Sequence, residues 1–216
     1  MTSFLKWACG IALAVAIVGV PVLRYRMIYF NEKRFREVSD GHFYRCGQMS
    51  ESGLRKQLRD HHIKTVINLQ DENQDPKLST GYWDKAHITE SRICEEEGVK
   101  YIFLTSDDSV GLLTRYEATP DHRPRVIDDF LKICDDPANH PILLHCLAGL
   151  HRTGLLTAIY RMEYDAVPLD EAVRELRSNG FGDRKCTTDN VYIYEYLMLY
   201  KPRRGKGGPA AQEPGS

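Results

Sequence analysis

Residues 7 to 23 are seventeen consecutive residues without a charge, bounded by Lys6 and Arg24. Such a run needs a non-aqueous environment: the chain's own core, a membrane, or a secretory path that removes it. As a helix rising about 1.5 Å per residue it spans roughly 25 Å, and Phe4 and Leu5 beyond Lys6 extend it toward the ~30 Å thickness of a bilayer's hydrocarbon layer. A cleaved signal peptide needs a short apolar stretch ending in a small-x-small site, which Gly19-Val20-Pro21-Val22 ahead of Arg24 and Arg26 matches poorly. A buried core helix is the remaining alternative. The favoured reading is a single-pass anchor through residues 4–23, with Pro21 near its end, where a break costs least. Lys6 alone precedes the stretch, whereas Arg24, Arg26, Lys33, Arg34 and Arg36 follow it against Glu32 and Glu37, so the positive-inside rule places the body of the chain in the cytoplasm. Trp7, Tyr25 and Tyr29 stand where interfacial aromatics would.

The organisation expected is an anchor over 1–27, a basic juxtamembrane linker over 28–39, one globular domain over 40–201, and a Gly- and Pro-rich tail over 202–216 that has nothing to bury. Within the domain, strands and helices alternate. Strands are expected at residues 42–45, 65–69, 101–104 and 141–145, and helices at 51–60, 83–97, 126–134, 153–164, 169–178 and 188–200. The order predicts an α/β fold: a mostly parallel central sheet with trailing helices. With 29 Lys+Arg against 30 Asp+Glu, no global basic field draws the chain onto nucleic acid. The six cysteines have no CxxC pair and no metal-ligand spacing, which favours a reduced compartment over a disulfide framework.

The chemistry is concentrated in His145-Cys146-Leu147-Ala148-Gly149-Leu150-His151-Arg152-Thr153-Gly154, between the last apolar strand and a helix. A loop turning from a strand into a helix N-terminus gathers backbone N–H groups and the positive end of the helix dipole, which together favour an anion. Gly149 lets the backbone of the 147–151 loop curl around it. Arg152 can fork two hydrogen bonds onto a phosphate. The same field favours a thiolate, so Cys146 is expected to ionise below the free thiol value of ~8.5 and attack phosphorus in line. Thr153 is placed to donate a hydrogen bond to that sulfur. A bare Cys-x5-Arg is a weak signal; the full string between a strand and a helix is a specific one.

That string resembles, at every defining position, the signature of the cysteine-dependent protein tyrosine phosphatase superfamily, in its dual-specificity branch. Phe43-Tyr44-Arg45-Cys46-Gly47-Gln48 and Ile63-Lys64-Thr65-Val66-Ile67-Asn68-Leu69 are similar to the opening strand, turn and second strand of atypical, bacterial-type and plant-and-fungal members. The resemblance covers about residues 40 to 200. It implies a four- or five-stranded sheet flanked by helices, a two-step mechanism through phosphocysteine, and neither cofactor nor metal.

It also implies a general acid on a loop after the strand at 101–104. Asp108 is favoured by its offset, with Asp107 next; Asp121, in Thr119-Pro120-Asp121-His122, is the rival, although an Asp directly before a helix is commonly a cap. His145 is expected to orient the loop by hydrogen bonding, with no metal role. His151 resembles a position held by His in members acting on inositol pyrophosphates, but Leu147, Ala148 and Leu150 stand where those loops carry cations, and Gln70 replaces a common Arg. The expected activity is therefore hydrolysis of phosphotyrosine, with phosphoserine and phosphothreonine as further substrates, on a phosphorylated protein or small phosphate ester. A phosphoinositide or inositol (pyro)phosphate substrate is the alternative within the same chemistry, and a phosphate-binding pseudophosphatase the alternative outside it.

Overall fold

The computed structural model describes residues 3–26, 31–79, 87–105, 124–178 and 191–203. Residues 3–26 are helical: α1 (Ser3–Ala14) runs through a π-helical turn (Val15–Gly19) into α2 (Val20–Arg26). The π turn has a local cause in Pro21, which cannot donate to the carbonyl four residues earlier and crowds it. The apolar part, Trp7–Tyr25, is not buried by the rest of the chain; Trp7, Ile11, Val15 and Leu23 are all exposed. It contributes nothing to the core, which sets aside the core-helix reading.

The domain is built on a five-stranded sheet of β1 (Arg36–Ser39), β2 (Phe43–Gly47), β3 (Thr65–Asn68), β6 (Lys100–Phe103) and β7 (Ile142–Cys146), in the order β1-β2-β7-β3-β6. β2 and β3 flank β7 in parallel, β6 joins β3 in parallel, and β1 closes one edge antiparallel to β2. β7 is buried at every residue, as the centre of a parallel sheet requires, while the edge strand β1 carries Arg36 and Glu37.

Alternation along the strands divides the core in two. On one face Tyr44, Cys46, Val66 and Leu143 meet α3 (Glu51–Asp60) and α4 (Glu90–Glu96) through Leu54, Leu58, Ile93 and Cys94. On the other, Phe43, Ile67, Ile142 and Leu144 meet α5 (Arg125–Asp135), α6 (His151–Tyr164), α7 (Leu169–Ser178) and α8 (Val191–Leu199). There Phe43 stacks on Tyr160 at 4.0 Å between ring centroids.

Three expectations change. The helix expected over 83–97 is α4 over Glu90–Glu96 only: His87–Thr89 forms β5, paired antiparallel with β4 (Lys77–Ser79), and residues 80–86 lie outside the described residues. The buried Leu78 opposite Ile88 gives this hairpin its register, a pairing that helical spacing of apolar residues does not reveal. Residues 31–39 are not a free linker, because β1 lies there and Asn31 packs its backbone against Gly53 of α3. Arg203, assigned to the tail, is anchored by ion pairs to Asp135 and Glu163; residues 204–216 lie outside the described residues.

Candidate active site

Cys146 is the last residue of the central strand, at the carboxyl ends of parallel strands where open α/β sheets bind ligands. It is 5% exposed. Alternation sends His145 to the α3/α4 face and Cys146 to the α6 face, and on β2 places Cys46 with the former and Arg45 with the latter. The neighbouring thiol of Cys46 is therefore across the sheet from Cys146.

The loop after Cys146 is shaped by two glycines. Gly149 has φ +69°, and a Cβ there would lie 2.5 Å from the Cys46 carbonyl oxygen and the Gly47 nitrogen. A Cβ on Gly47 would lie 2.9 Å from the Ala148 carbonyl carbon. The loop thus presses directly on the end of β2.

Its carbonyls are all engaged from outside. Gln48 N donates to the carbonyls of Cys146 and Leu147 at 3.0 and 3.2 Å, Arg34 Nη1 to Ala148 at 2.9 Å, and Arg45 Nη2 to Gly149 at 2.8 Å. In a trans peptide the N–H points opposite to the C=O. Four outward carbonyls therefore turn the N–H groups of Leu147, Ala148, Gly149 and Leu150 inward. α6 begins at His151, two residues earlier than expected, and no side chain caps it, so its first-turn N–H groups join the same cradle.

Arg152 stands in that first turn and is nine-tenths buried. Its Nη1 donates to the Leu69 carbonyl at 2.8 Å and to Glu72 Oε2 at 2.7 Å, while Nε lies 3.8 Å from Asp71 Oδ2, beyond hydrogen-bond reach. Among the described residues Nη2 has no hydrogen bond, so the Nε/Nη2 edge is the one left for a bidentate phosphate contact. Asp71 also accepts from Thr105 at 2.8 Å, linking the arginine to the end of the strand that leads to the expected acid loop.

Burial is the largest single influence on Glu72 and opposes its ionisation, but the Arg152 hydrogen bond, a backbone hydrogen bond and the charge of Arg152 together outweigh it and hold the carboxyl below its ordinary value. His151 is held below the usual imidazole value by burial and then by Arg152. Burial pushes the Arg45 guanidinium down to about 10, so a cation stays charged beneath the loop at neutral pH.

His145 does not face the loop. Its Nε2 lies 3.1 Å from Glu90 Oε2, close enough for an ion pair but without the alignment of a hydrogen bond, and both side chains are almost fully buried. Thr153 Oγ1 is buried without a hydrogen-bond partner, so the expected bond to the Cys146 sulfur is not made in this state. Leu147 is half-exposed at the loop while Leu150 is partly covered. Asp107, Asp108 and Asp121 all lie outside the described residues. No group of three metal-ligating side chains occurs among the described residues.

Sequence reasoning overlooked Arg34, Arg45, Asp71 and Glu72 as parts of the site, and Glu90 as the partner of His145 on the opposite face. The signal for Asp71 and Glu72 was an acidic doublet directly after a parallel strand; for Arg45 it was a charge inside a buried strand.

A family model described as the DSP-PTPase phosphatase fused to NAD+ kinase matches residues 22–192, most of the chain. Among curated proteins, the protein tyrosine phosphatase PRL-1 of Trypanosoma cruzi is 36% identical over 86 residues, covering 38% of this chain and 46% of that protein. The dual specificity protein phosphatase TpbA of Pseudomonas aeruginosa is 33% identical over 100 residues, covering 42% of this chain and 46% of that protein. The chain thus spans about half the length of these relatives. Among solved structures, the core catalytic domain of the PP-IP phosphatase SIW14 from S. cerevisiae superposes with a TM-score of 0.53 at 20% identity, covering 76% of this chain and 85% of that one. P. aeruginosa TpbA gives 0.52 at 19%, covering 77% and 84%, and at these identities both likenesses are of fold. A signature loop built around Cys146 on this sheet, and a family match across most of its length, place the chain in the DSP-PTPase family of cysteine-dependent phosphatases.

Proposed function

We propose that this chain is a membrane-anchored phosphatase that hydrolyses phosphotyrosine, with phosphoserine and phosphothreonine as slower substrates. The observation that carries the reading is the set of four outward-bonded carbonyls, which leaves Cys146 beside inward N–H groups with Arg152 pinned at one edge. In the first step the Cys146 thiolate attacks phosphorus, the P–O bond to the leaving group breaks, and Asp108 protonates the departing oxygen, with Asp107 the next candidate. The loop N–H groups and the Nε/Nη2 edge of Arg152 bind the equatorial oxygens, whose charge they neutralise in both steps. In the second step water attacks the phosphocysteine, giving a proton to the carboxylate that served as acid in the first step, the P–S bond breaks, and the thiolate departs, accepting a hydrogen bond from the Thr153 hydroxyl.

Likeness to PRL-1, a protein tyrosine phosphatase, and TpbA, a dual specificity protein phosphatase, supports protein phosphate esters as the substrate class. Support for the anchor is the exposed apolar helix Trp7–Tyr25, and the excess of cations after it supports a catalytic domain facing the cytoplasm. The test is metal-free hydrolysis of an aryl phosphate by the full chain. Cys146→Ser should abolish it, and activity surviving that substitution would contradict the mechanism.

A further inference from the structure

Arg45 carries a charge inside a strand whose five residues are all buried, and is itself 2% exposed. A guanidinium withdrawn from water needs an anion or a full set of acceptors. Among the described residues it has neither: its one hydrogen bond is from Nη2 to the Gly149 carbonyl at 2.8 Å, and no carboxylate pairs with it. The carboxylate whose charge reaches it, Glu175 of α7, is already held by Arg161, through Nη2 at 2.8 Å and Nε at 3.1 Å. Directly opposite across the β1/β2 pair stands Arg36, a second cation.

The surroundings of the guanidinium locate the missing anion. Arg45 is registered with Leu144 on β7, and alternation puts Arg45, Leu144 and Cys146 on the same face of the sheet. Arg45 thus stands diagonal to Cys146 on the neighbouring strand, about 8 Å away at ordinary strand spacing and rise, which a long side chain crosses. Its Nη2 reaches the loop at Gly149 and lies 3.8 Å from where a Cβ on Gly154 would be, in the first turn of α6. The guanidinium is therefore wedged between the phosphate loop and the helix that follows it. The peptide it holds, Gly149–Leu150, is the one that turns the Leu150 N–H inward. The thiol of Cys146 is among the groups that oppose the effect of burial on Arg45.

Resting on the phosphatase reading above and extending its machinery, we propose that Arg45 is a positioning residue for the nucleophile: the Cys146 thiolate is its counter-ion, and the guanidinium keeps that sulfur ionised while fixing the Gly149–Leu150 peptide over it. The two arginines divide the work. Arg152 binds the substrate phosphate, whereas Arg45, bonded to the outward side of the loop, acts on the sulfur and touches no substrate. The other charged and titratable groups around the sulfur are Arg152 and His151 on α6, Lys33 before β1, which acts on it by charge, and, across the sheet, Cys46 and the pair His145 and Glu90. Asp71 and Glu72 face Arg152, while Arg36 and Glu175 face Arg45.

The test is alkylation of Cys146 by iodoacetamide, which only the thiolate undergoes, in the full chain in detergent micelles from about pH 4 to pH 9. Mass spectrometry of the Cys146 peptide gives the rate at each pH. Arg45→Gln keeps a donor for the Gly149 carbonyl and removes the charge, so the midpoint of the profile should rise by about one pH unit. Below that midpoint kcat/KM for an aryl phosphate should fall about tenfold, the same loss of thiolate read by turnover. Arg45→Lys keeps the charge and should hold the midpoint where the parent has it. An unmoved midpoint in a folded Arg45→Gln would overturn the proposal, even with activity lowered at every pH, because a purely structural role lowers the rate without moving the titration. Arg45→Lys decides independently of whether Arg45→Gln folds: a midpoint raised by about one unit with the charge still in place would overturn the proposal as well. Failure of the phosphatase reading is distinct, because it appears as aryl phosphate hydrolysis that survives Cys146→Ser, whereas alkylation reads the sulfur without turnover.

Discussion

Arg152 is held from one side. Glu72 and the Leu69 carbonyl occupy Nη1 and fix the guanidinium plane before any substrate arrives, so the loss of side-chain freedom on binding is already met in the free protein. Arg152→Ala should therefore lower kcat/KM for an aryl phosphate by about a thousandfold, the scale of a lost transition-state charge clamp. Arg152→Lys should recover little of it, because an ammonium cannot anchor and fork at once. Glu72→Gln keeps a hydrogen-bond acceptor but removes the charge, and steady-state kinetics should show a fall of several-fold, with Leu69 still in place. Equal activity of Arg152→Lys and the parent would contradict the bidentate role. The neighbouring Gly149→Ala would force φ +69° on a residue with a Cβ 2.5 Å from backbone atoms of β2. Its cost should be on the order of 3 kcal/mol in denaturant unfolding, together with loss of activity.

At the scale of elements, α3 and α4 are joined by Glu97, which accepts from Arg59 Nη2 at 2.6 Å and Arg55 Nη1 at 2.8 Å. Arg59, and then Arg55, hold the Glu97 carboxyl at about 2 against the opposing effect of burial. A carboxyl whose folded value lies below its unfolded value stabilises the fold when ionised. Its contribution is complete above the ordinary 4.5 and is lost as pH falls toward 2. Glu97→Gln should thus lower Tm at neutral pH, with the gap closing below about pH 4. A constant gap across that range would mean the pair acts by packing alone.

Much of this layer was readable from sequence: α3 and α7 carry the bounds expected, and the central strand was marked by an unbroken apolar run ending in His145 and Cys146. The β4/β5 hairpin and β1 were not, because a three-residue strand and a charged edge strand carry too little alternation to stand out from loops. The site divides the same way. Cys146 and Arg152 lie six positions apart in one short stretch and give a motif, whereas Arg34 and Arg45 reach the loop, and Glu72 its arginine, only through long-range strand pairing, which a single sequence does not specify.

For the whole molecule, the apolar helix ends only a few residues before a segment that contacts the active-site loop. α2 ends at Arg26 and Lys33 already touches the site, a separation of seven residues that spans at most about 25 Å when extended. An anchored chain therefore works close to the bilayer surface, which suits phosphate esters on membrane-bound partners. The full chain expressed with the helix intact should remain with membranes through alkaline carbonate extraction, and protease added to sealed vesicles should reach Arg203 only from the cytoplasmic side. Release into the supernatant would remove the anchor, and cleavage from the opposite side would reverse the orientation.

The expectations about turnover depend on a covalent bond between Cys146 and phosphorus. Rapid acid quench of the full chain with an aryl phosphate, followed by mass spectrometry of the Cys146 peptide, measures that bond directly. The account predicts a peptide heavier by one phosphoryl group during turnover, absent in Cys146→Ser and longer-lived in Thr153→Val. Turnover at the full rate with no phosphoryl group on Cys146 would contradict it.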